Sequence, residues 1–176
     1  IGPANMSGRV SDIEALDDDF THVLVATASG GVWKSTNAGT SFEPIFDTYG
    51  SASIGDIALY QKDPNIIWVG TGEECGRNSA AWGDGVYKST DGGVTFQNMG
   101  LKDTYTIGTV LIHPDNPDIV YVAATGCIWG EVGDRGLFKT TDGGQTWNKL
   151  SGGLPDDGRT GASEIIMHPE DPNTLY

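Results

Sequence analysis

Thr140 to Trp147 read TTDGGQTW, and close copies stand at Ser89 to Phe96 (STDGGVTF) and at Ser35 to Phe42 (STNAGTSF). Each copy follows a short run ending in Lys (GVWK, GVYK, GLFK) and precedes a short polar-apolar run, the pattern of a β-hairpin turn repeated along the chain. The turn chemistry is explicit. Asp91 or Asp142 can fold its carboxylate back onto nearby backbone N–H groups, Gly93 and Gly144 accept positive φ, and Ser89 and Thr140 add short hydrogen bonds. The closing aromatic, Phe42, Phe96 or Trp147, is expected to pack over its turn. The first copy differs, with Asn37 for Asp and Ala38 for the first Gly, yet Ser35, Asn37 and Gly39 still suit a tight turn.

Aligning the repeats on this turn predicts four strands per unit. Strand one is VSDIEA (Val10 to Ala15), IGDIAL (Ile54 to Leu59), IGTVLI (Ile107 to Ile112) and ASEIIM (Ala162 to Met167). Its second residue is always small (Ser11, Gly55, Gly108, Ser163), as crowding of innermost strands around a propeller axis demands. Strand two is HVLVAT (His22 to Thr27), IIWVGT (Ile66 to Thr71), IVYVAA (Ile119 to Ala124) and the truncated TLY (Thr174 to Tyr176). Strand three ends at the Lys before each turn, and strand four follows it. The repeats cover about 9–47, 53–100, 106–151 and an incomplete 161–176, so the whole of 1–176 reads as an all-β, partial β-propeller of about three and a half antiparallel blades. A β-sandwich of similar strand count fits the regular spacing of the turns less well. His113 and His168 recur beside Pro in the link from strand one to strand two, which favours a hydrogen-bonded scaffold role over a base or a metal ligand.

The S/T-x-D-x-G-x-T-W/F pattern resembles the Asp-box, or BNR repeat, of the sialidase-like, sortilin-like and xyloglucanase-like β-propellers. The resemblance runs over essentially the whole chain. It implies that the Asp-box residues (Ser35, Asn37, Gly39 and Phe42; Ser89, Asp91, Gly93 and Phe96; Thr140, Asp142, Gly144 and Trp147) are scaffold on the outer rim, away from any active site. A sialidase resemblance would further imply an Arg-Ile-Pro segment before the first box, three arginines for a substrate carboxylate and a Tyr/Glu pair. The chain instead has GRV at Gly8 to Val10, and no arginine triad can be assigned. A xyloglucanase resemblance would imply catalytic aspartates in a cleft between two propellers, and half of any such cleft is absent here. The pattern as a whole is most similar to large bacterial BNR-repeat proteins of sortilin-like or glycosyl-hydrolase-like kind.

Composition narrows the function classes. A formal net charge of −14 repels phosphate backbones and anionic membrane surfaces, which excludes nucleic acid as a partner and leaves neutral glycans, cations or proteins. No run of about eighteen apolar residues occurs, so membrane insertion is not expected. IGPANMSG at the start lacks the basic and apolar regions of a signal peptide, so any such peptide has been removed or lay upstream of this extracytoplasmic, secreted-type domain. Cys75 and Cys127 fall in equivalent loops, where one disulfide or two buried thiols are both open. Neither a metal site nor a cofactor is expected. The half blade at 161–176 leaves an unpaired apolar edge, to be covered by the remainder of a longer chain or by further copies.

Chemistry is expected on one face. The two-to-three link is minimal in the first repeat (Ala28 to Gly31) but expands to GEECGRNSAAWGDG (Gly72 to Gly85) and GCIWGEVGDRG (Gly126 to Gly136). Insertions on one face of a repeat scaffold usually carry binding. Arg77, Trp82, Asp84, Trp129, Glu131 and Arg135 supply the groups a glycan needs: indoles for the apolar pyranose face, charged groups for its hydroxyls. The competing reading makes these solvated loop residues, with the two indoles packed beneath. Nearer the axis, Asp12, Asp56, Thr109 and Glu164 align at the start of strand one, and Glu73 and Glu74 open the first insert. Asp12, Asp56, Glu73 and Glu74 are therefore the catalytic candidates, able to hold a cation or raise one another's pKa into the general-acid range. The alternative has each strand-one carboxylate capping its own strand. A glycan- or protein-binding scaffold is the expected function, and part of a glycoside hydrolase is the other reading.

Overall fold

The computed structural model describes residues 9–75 and 80–176. Three four-stranded antiparallel sheets follow one another along the chain, then two strands of a fourth. The first sheet is β1 (Val10–Ala15), β2 (Val23–Thr27), β3 (Val32–Ser35) and β4 (Glu43–Pro44); the second is β5 (Ile54–Leu59), β6 (Ile67–Thr71), β7 (Val86–Ser89) and β8 (Gln97–Asn98). The third is β9 (Ile107–His113), β10 (Asn116–Ala124), β11 (Gly136–Thr140) and β12 (Asn148–Leu150), and the last pair is β13 (Met167–His168) with β14 (Asp171–Leu175). Each sheet keeps simple meander order, so the chain is a partial β-propeller.

Middle strands read as continuous apolar runs rather than alternating ones, and the packing gives the reason. Both faces of β6 are buried, as are those of the Val120–Ala124 segment of β10, because each blade is covered by a neighbour on either side. Three apolar clusters fill these interfaces. Leu24, Phe46, Ile57 and Val69 belong to the first, Trp68, Val110, Val122 and Phe138 to the second, and Tyr121, Leu137 and Ile165 to the third.

The innermost strands are bulged where the small residues stand. Register shifts at Ser11, Gly55 and Gly108 re-aim the next side chain toward the following blade. Thus Ile57 N–H donates to Asp12 Oδ2 at 3.3 Å, Val110 N–H donates to Asp56 Oδ2 at 2.6 Å, and the Thr109 hydroxyl donates to Ser163 O at 3.0 Å. Neither aspartate caps its own strand. A Cβ on Gly55 would run into the carbonyl oxygen of Ile107, and one on Gly108 into that of Ser163, so neighbouring inner strands touch backbone to backbone.

The three hairpin turns share one hydrogen-bond set. Thr95 N–H donates to Asp91 Oδ1 and Thr146 N–H to Asp142 Oδ1, both at 2.9 Å, and Ser41 N–H to Asn37 Oδ1 at the same distance. Gly93 and Gly144 N–H donate to Ser89 Oγ and Thr140 Oγ1, and Gly39 N–H to Ser35 Oγ. The Thr95 and Thr146 hydroxyls, donating to the second carboxylate oxygens at 2.6 Å, then those threonine N–H groups and the Ser89 and Thr140 hydroxyls, hold Asp91 and Asp142 down to pKa values of about 2. Ala38 takes φ 56° where the other turns have Gly. Phe42 and Phe96 lie over the glycines of their own turns, whereas Trp147 reaches the preceding blade, donating to Met99 O at 2.8 Å and meeting Trp68 edge to face. Lys34 and Lys88 likewise donate to the carbonyls of Gly92 and Gly143 in the next turn round the rim.

The fourth repeat departs from expectation. Of the strand expected at Ala162 to Met167, only Met167 joins the ladder, although Ile166 and Tyr176 exchange a pair of backbone hydrogen bonds. The partner strand lies at Asp171–Leu175 rather than 174–176. In the third blade β10 starts at Asn116, inside the expected proline turn, which makes the β9–β10 hairpin tighter than the sequence suggested. His113 and His168 accept N–H bonds from Asp115 and from Glu170 and Asp171 through their Nδ1 atoms. Both cysteines are free. Cys127 is buried and Cys75 exposed, so neither a bridge nor a buried pair of thiols forms.

Candidate functional site

Antiparallel connectivity places the two-to-three loops and the strand-four links on the same face, opposite the hairpin turns. Two groupings occur there. Near the axis, Arg9, Asp56, Glu73, Glu74 and Cys75 line a cavity of about 140 Å³ floored by Gly55 and Gly108. Asp56 is deeply set, and its carboxyl is pushed up to about 8 by loss of solvation and by the Asp12 charge, against the pull of the Val110 N–H. Glu14, two residues along β1 from Asp12, is pushed up to about 7 by burial and then by Asp12 and Asp17.

Glu73 is buried, donates its backbone N–H to Ser53 Oγ at 3.0 Å, and pairs through its carboxylate with Arg9. Glu74 keeps one carboxylate oxygen buried without a hydrogen-bond partner, and desolvation followed by the Glu164 charge raises its pKa. Three of the four catalytic candidates therefore share one small cavity, while Asp12 stands behind it against Ile57. No group of three or more His, Cys, Asp or Glu side chains suited to a metal ion occurs among the described residues.

Farther out lie the aromatic residues. Trp82 and Trp129 are 53% and 57% exposed. The Trp82 loop is tied down at residues 81–83: the Ser51 hydroxyl donates to Trp82 O, the Ser53 hydroxyl to Ala81 O, and Gly83 N–H to Tyr105 O at 2.7 Å. The indole itself meets the Tyr105 ring edge to face, with centroids 5.2 Å apart.

The remaining expected ligand groups are engaged by the protein. Asp84 accepts from the Tyr87 hydroxyl at 2.6 Å and donates its own N–H to Thr71 Oγ1 at 2.8 Å, so it works as a loop anchor. Arg135 donates to the carbonyls of Thr125, Cys127 and Gly130, clamping the loop that carries Trp129. Glu131 is exposed and pairs with Arg159 at 3.2 Å across to the next link. Arg77 lies outside the described residues. Tyr105 and the Ser51/Ser53 pair were not singled out from sequence. Their position in the links on the loop face is the signal that would have found them.

No protein-family model matches the chain. Over 101 residues, 54% of this chain, it is 33% identical to a probable oligoxyloglucan-reducing end-specific xyloglucanase of Neosartorya fischeri, of which it spans only 10%. Among solved structures it is similar to an ancestral GH74 enzyme, with a TM-score of 0.69 at 23% identity over 94% of this chain and 21% of the other. The Niastella koreensis GH74 enzyme gives a TM-score of 0.67 at 22% identity over 93% of this chain and 24% of the other. YCF48 from Cyanidioschyzon merolae gives 0.55 at 17% identity over 82% of this chain and 37% of the other. At these identities the solved structures establish the fold: what the chain shares with the GH74 enzymes is the β-propeller.

Proposed function

We propose that this chain is a segment of an extracytoplasmic β-propeller of the Asp-box kind whose long-loop face binds glycan. The observation that carries the reading is the pair of half-exposed indoles on the two expanded loops. Burying an indole stabilises a fold by roughly 2 to 3 kcal/mol, and a well-packed blade has no reason to leave two of them in water on one face. The hydrogen-bond set of the three hairpin turns supports the Asp-box assignment. The likeness to GH74 enzymes and to a xyloglucanase supports a β-linked neutral polysaccharide as the ligand, which a net charge of −14 does not repel. Further blades, from a longer chain or from other copies, cover the end faces in this reading.

Binding is favoured over hydrolysis by the size of the axial cavity. Ligand pockets are usually about 300 to 1,000 Å³, and the cavity beside Glu73 and Glu74 measures about 140 Å³ among the described residues. The hydrolase reading keeps one specific support, the raised pKa and unpartnered oxygen of Glu74, the properties of a general acid. Tryptophan-fluorescence titration with xyloglucan oligosaccharides decides between them, run beside an assay for released reducing ends. The binding reading expects saturable quenching that Trp82→Ala and Trp129→Ala each weaken, with no turnover. Turnover abolished by Glu74→Gln would establish the hydrolase, and absence of quenching would overturn the glycan reading.

A further inference from the structure

The link between the second and third blades contains a backbone conformation that its sequence, LKDTYT, does not favour. Tyr105 has φ 61° and ψ −49°, and Thr106 N–H donates to Thr104 O at 2.6 Å across it. This is a γ-turn of the rare positive-φ form, strained for any residue with a side chain. Glycine would adopt it freely, yet the position carries a half-buried aromatic ring.

What the strain accomplishes is visible in the contacts. The Tyr105 carbonyl accepts the N–H of Gly83, next to Trp82, and its ring stands at 85° to the Trp82 indole. On the other side, Gly133 in the third blade's loop sits so close that a Cβ there would enter the Tyr105 ring. Asp134 N–H donates to Asp103 O at 2.8 Å, fastening that loop to the same link. One six-residue link therefore grips the loop of Trp82 and the loop of Trp129 at once, and presents a ring between them.

We infer that Tyr105 is a ligand-contacting residue forming a right-angled aromatic corner with Trp82, and that the 101–106 link joins the two loops into one site for an extended neutral oligosaccharide. The inference rests on the glycan-binding reading above. A sugar ring stacked on Trp82 would have its flank against the Tyr105 ring, and the chain would continue toward Trp129 rather than end in a closed pocket. A merely structural tyrosine would instead be dispensable for ligand once the backbone kept its turn.

The test uses the chain labelled with 5-fluorotryptophan and titrated with cello-oligosaccharides and xyloglucan oligosaccharides under ¹⁹F NMR, with Trp82→Phe and Trp129→Phe assigning the two resonances. Both resonances should move over the same concentration range. Tyr105→Gly, which accepts the positive φ, should keep the melting temperature yet weaken binding about tenfold, the scale of one lost aromatic contact. Tyr105→Asn, which bears the same backbone strain as tyrosine but lacks the ring, is read in parallel should Gly loosen the link, and Tyr105→Phe should bind like the parent. Unchanged affinity in Tyr105→Gly and Tyr105→Asn, or indoles that titrate at separate concentrations, overturns this inference and leaves the glycan-binding face intact. Indoles that ignore every oligosaccharide in the parent overturn both.

Discussion

Asp56 shows how one residue can serve both packing and proton linkage. The bulge at Gly55 turns its carboxylate away from its own sheet and onto the Val110 N–H of the next blade, where desolvation and the Asp12 charge raise its pKa to about 8. A carboxyl whose folded pKa lies above its unfolded value contributes most below the unfolded pKa, and that contribution is lost as pH rises through the folded one. Asp56 and Glu14, raised to about 7, therefore make the fold lose stability between about pH 4 and pH 8. Asp91 and Asp142, held at about 2, act oppositely and lose their contribution as pH falls below about 4 toward 2. Melting temperatures measured from pH 3 to 9 should peak near pH 4 to 5. Asp56→Asn keeps an oxygen for Val110 N–H but cannot ionise, and should flatten the alkaline decline; an unchanged profile would remove Asp56 as its source.

Between elements, the decisive contacts are those of neighbouring inner strands. β5 presses against β9 through Gly55, with no room for even one added methyl beside the Ile107 carbonyl. Gly55→Ala should destabilise by about 2 kcal/mol through forced displacement of two strands, read as a lower urea midpoint at constant m-value. Retained stability would mean that the strands slide apart easily, and that the small residue at this place in the repeat has another origin. By contrast, Gly152 faces open space without a positive φ, and alanine there should be tolerated.

At the scale of the molecule, the first blade and the fourth repeat leave apolar side chains exposed among the described residues. Ile57, Val110 and Ile165 occupy equivalent places and are almost fully covered, while Ile13, the fourth member of the set, is 60% exposed. Ile166 and Tyr176 are exposed on the opposite end. Such faces seek cover. The chain should self-associate in sedimentation, and Ile13→Lys with Ile166→Lys should shift it toward monomer; a monomer at high concentration in the parent would show that these faces tolerate water.

The sequence by itself determined the hairpin turns and the strand-two cores. Ser89, Asp91, Gly93 and Thr95 close their hydrogen bonds within one turn, and Ile67 to Val69 or Val120 to Val122 announce two-sided burial by their unbroken apolar run. Such information is local, so it survives in a string of letters. Only the tertiary structure decided the site. It spent Arg135 on three carbonyls of its own loop, set Asp84 against Tyr87, aimed Asp12 and Asp56 at the next blade, and bent Tyr105 between two loops. The weak fourth repeat follows the same rule, because a strand-one sequence forms its ladder only where neighbouring strands complete it. Those outcomes depend on groups from different strands and blades reaching the same few ångströms, and residue type fixes what a side chain can bond, not which partner the fold brings to it.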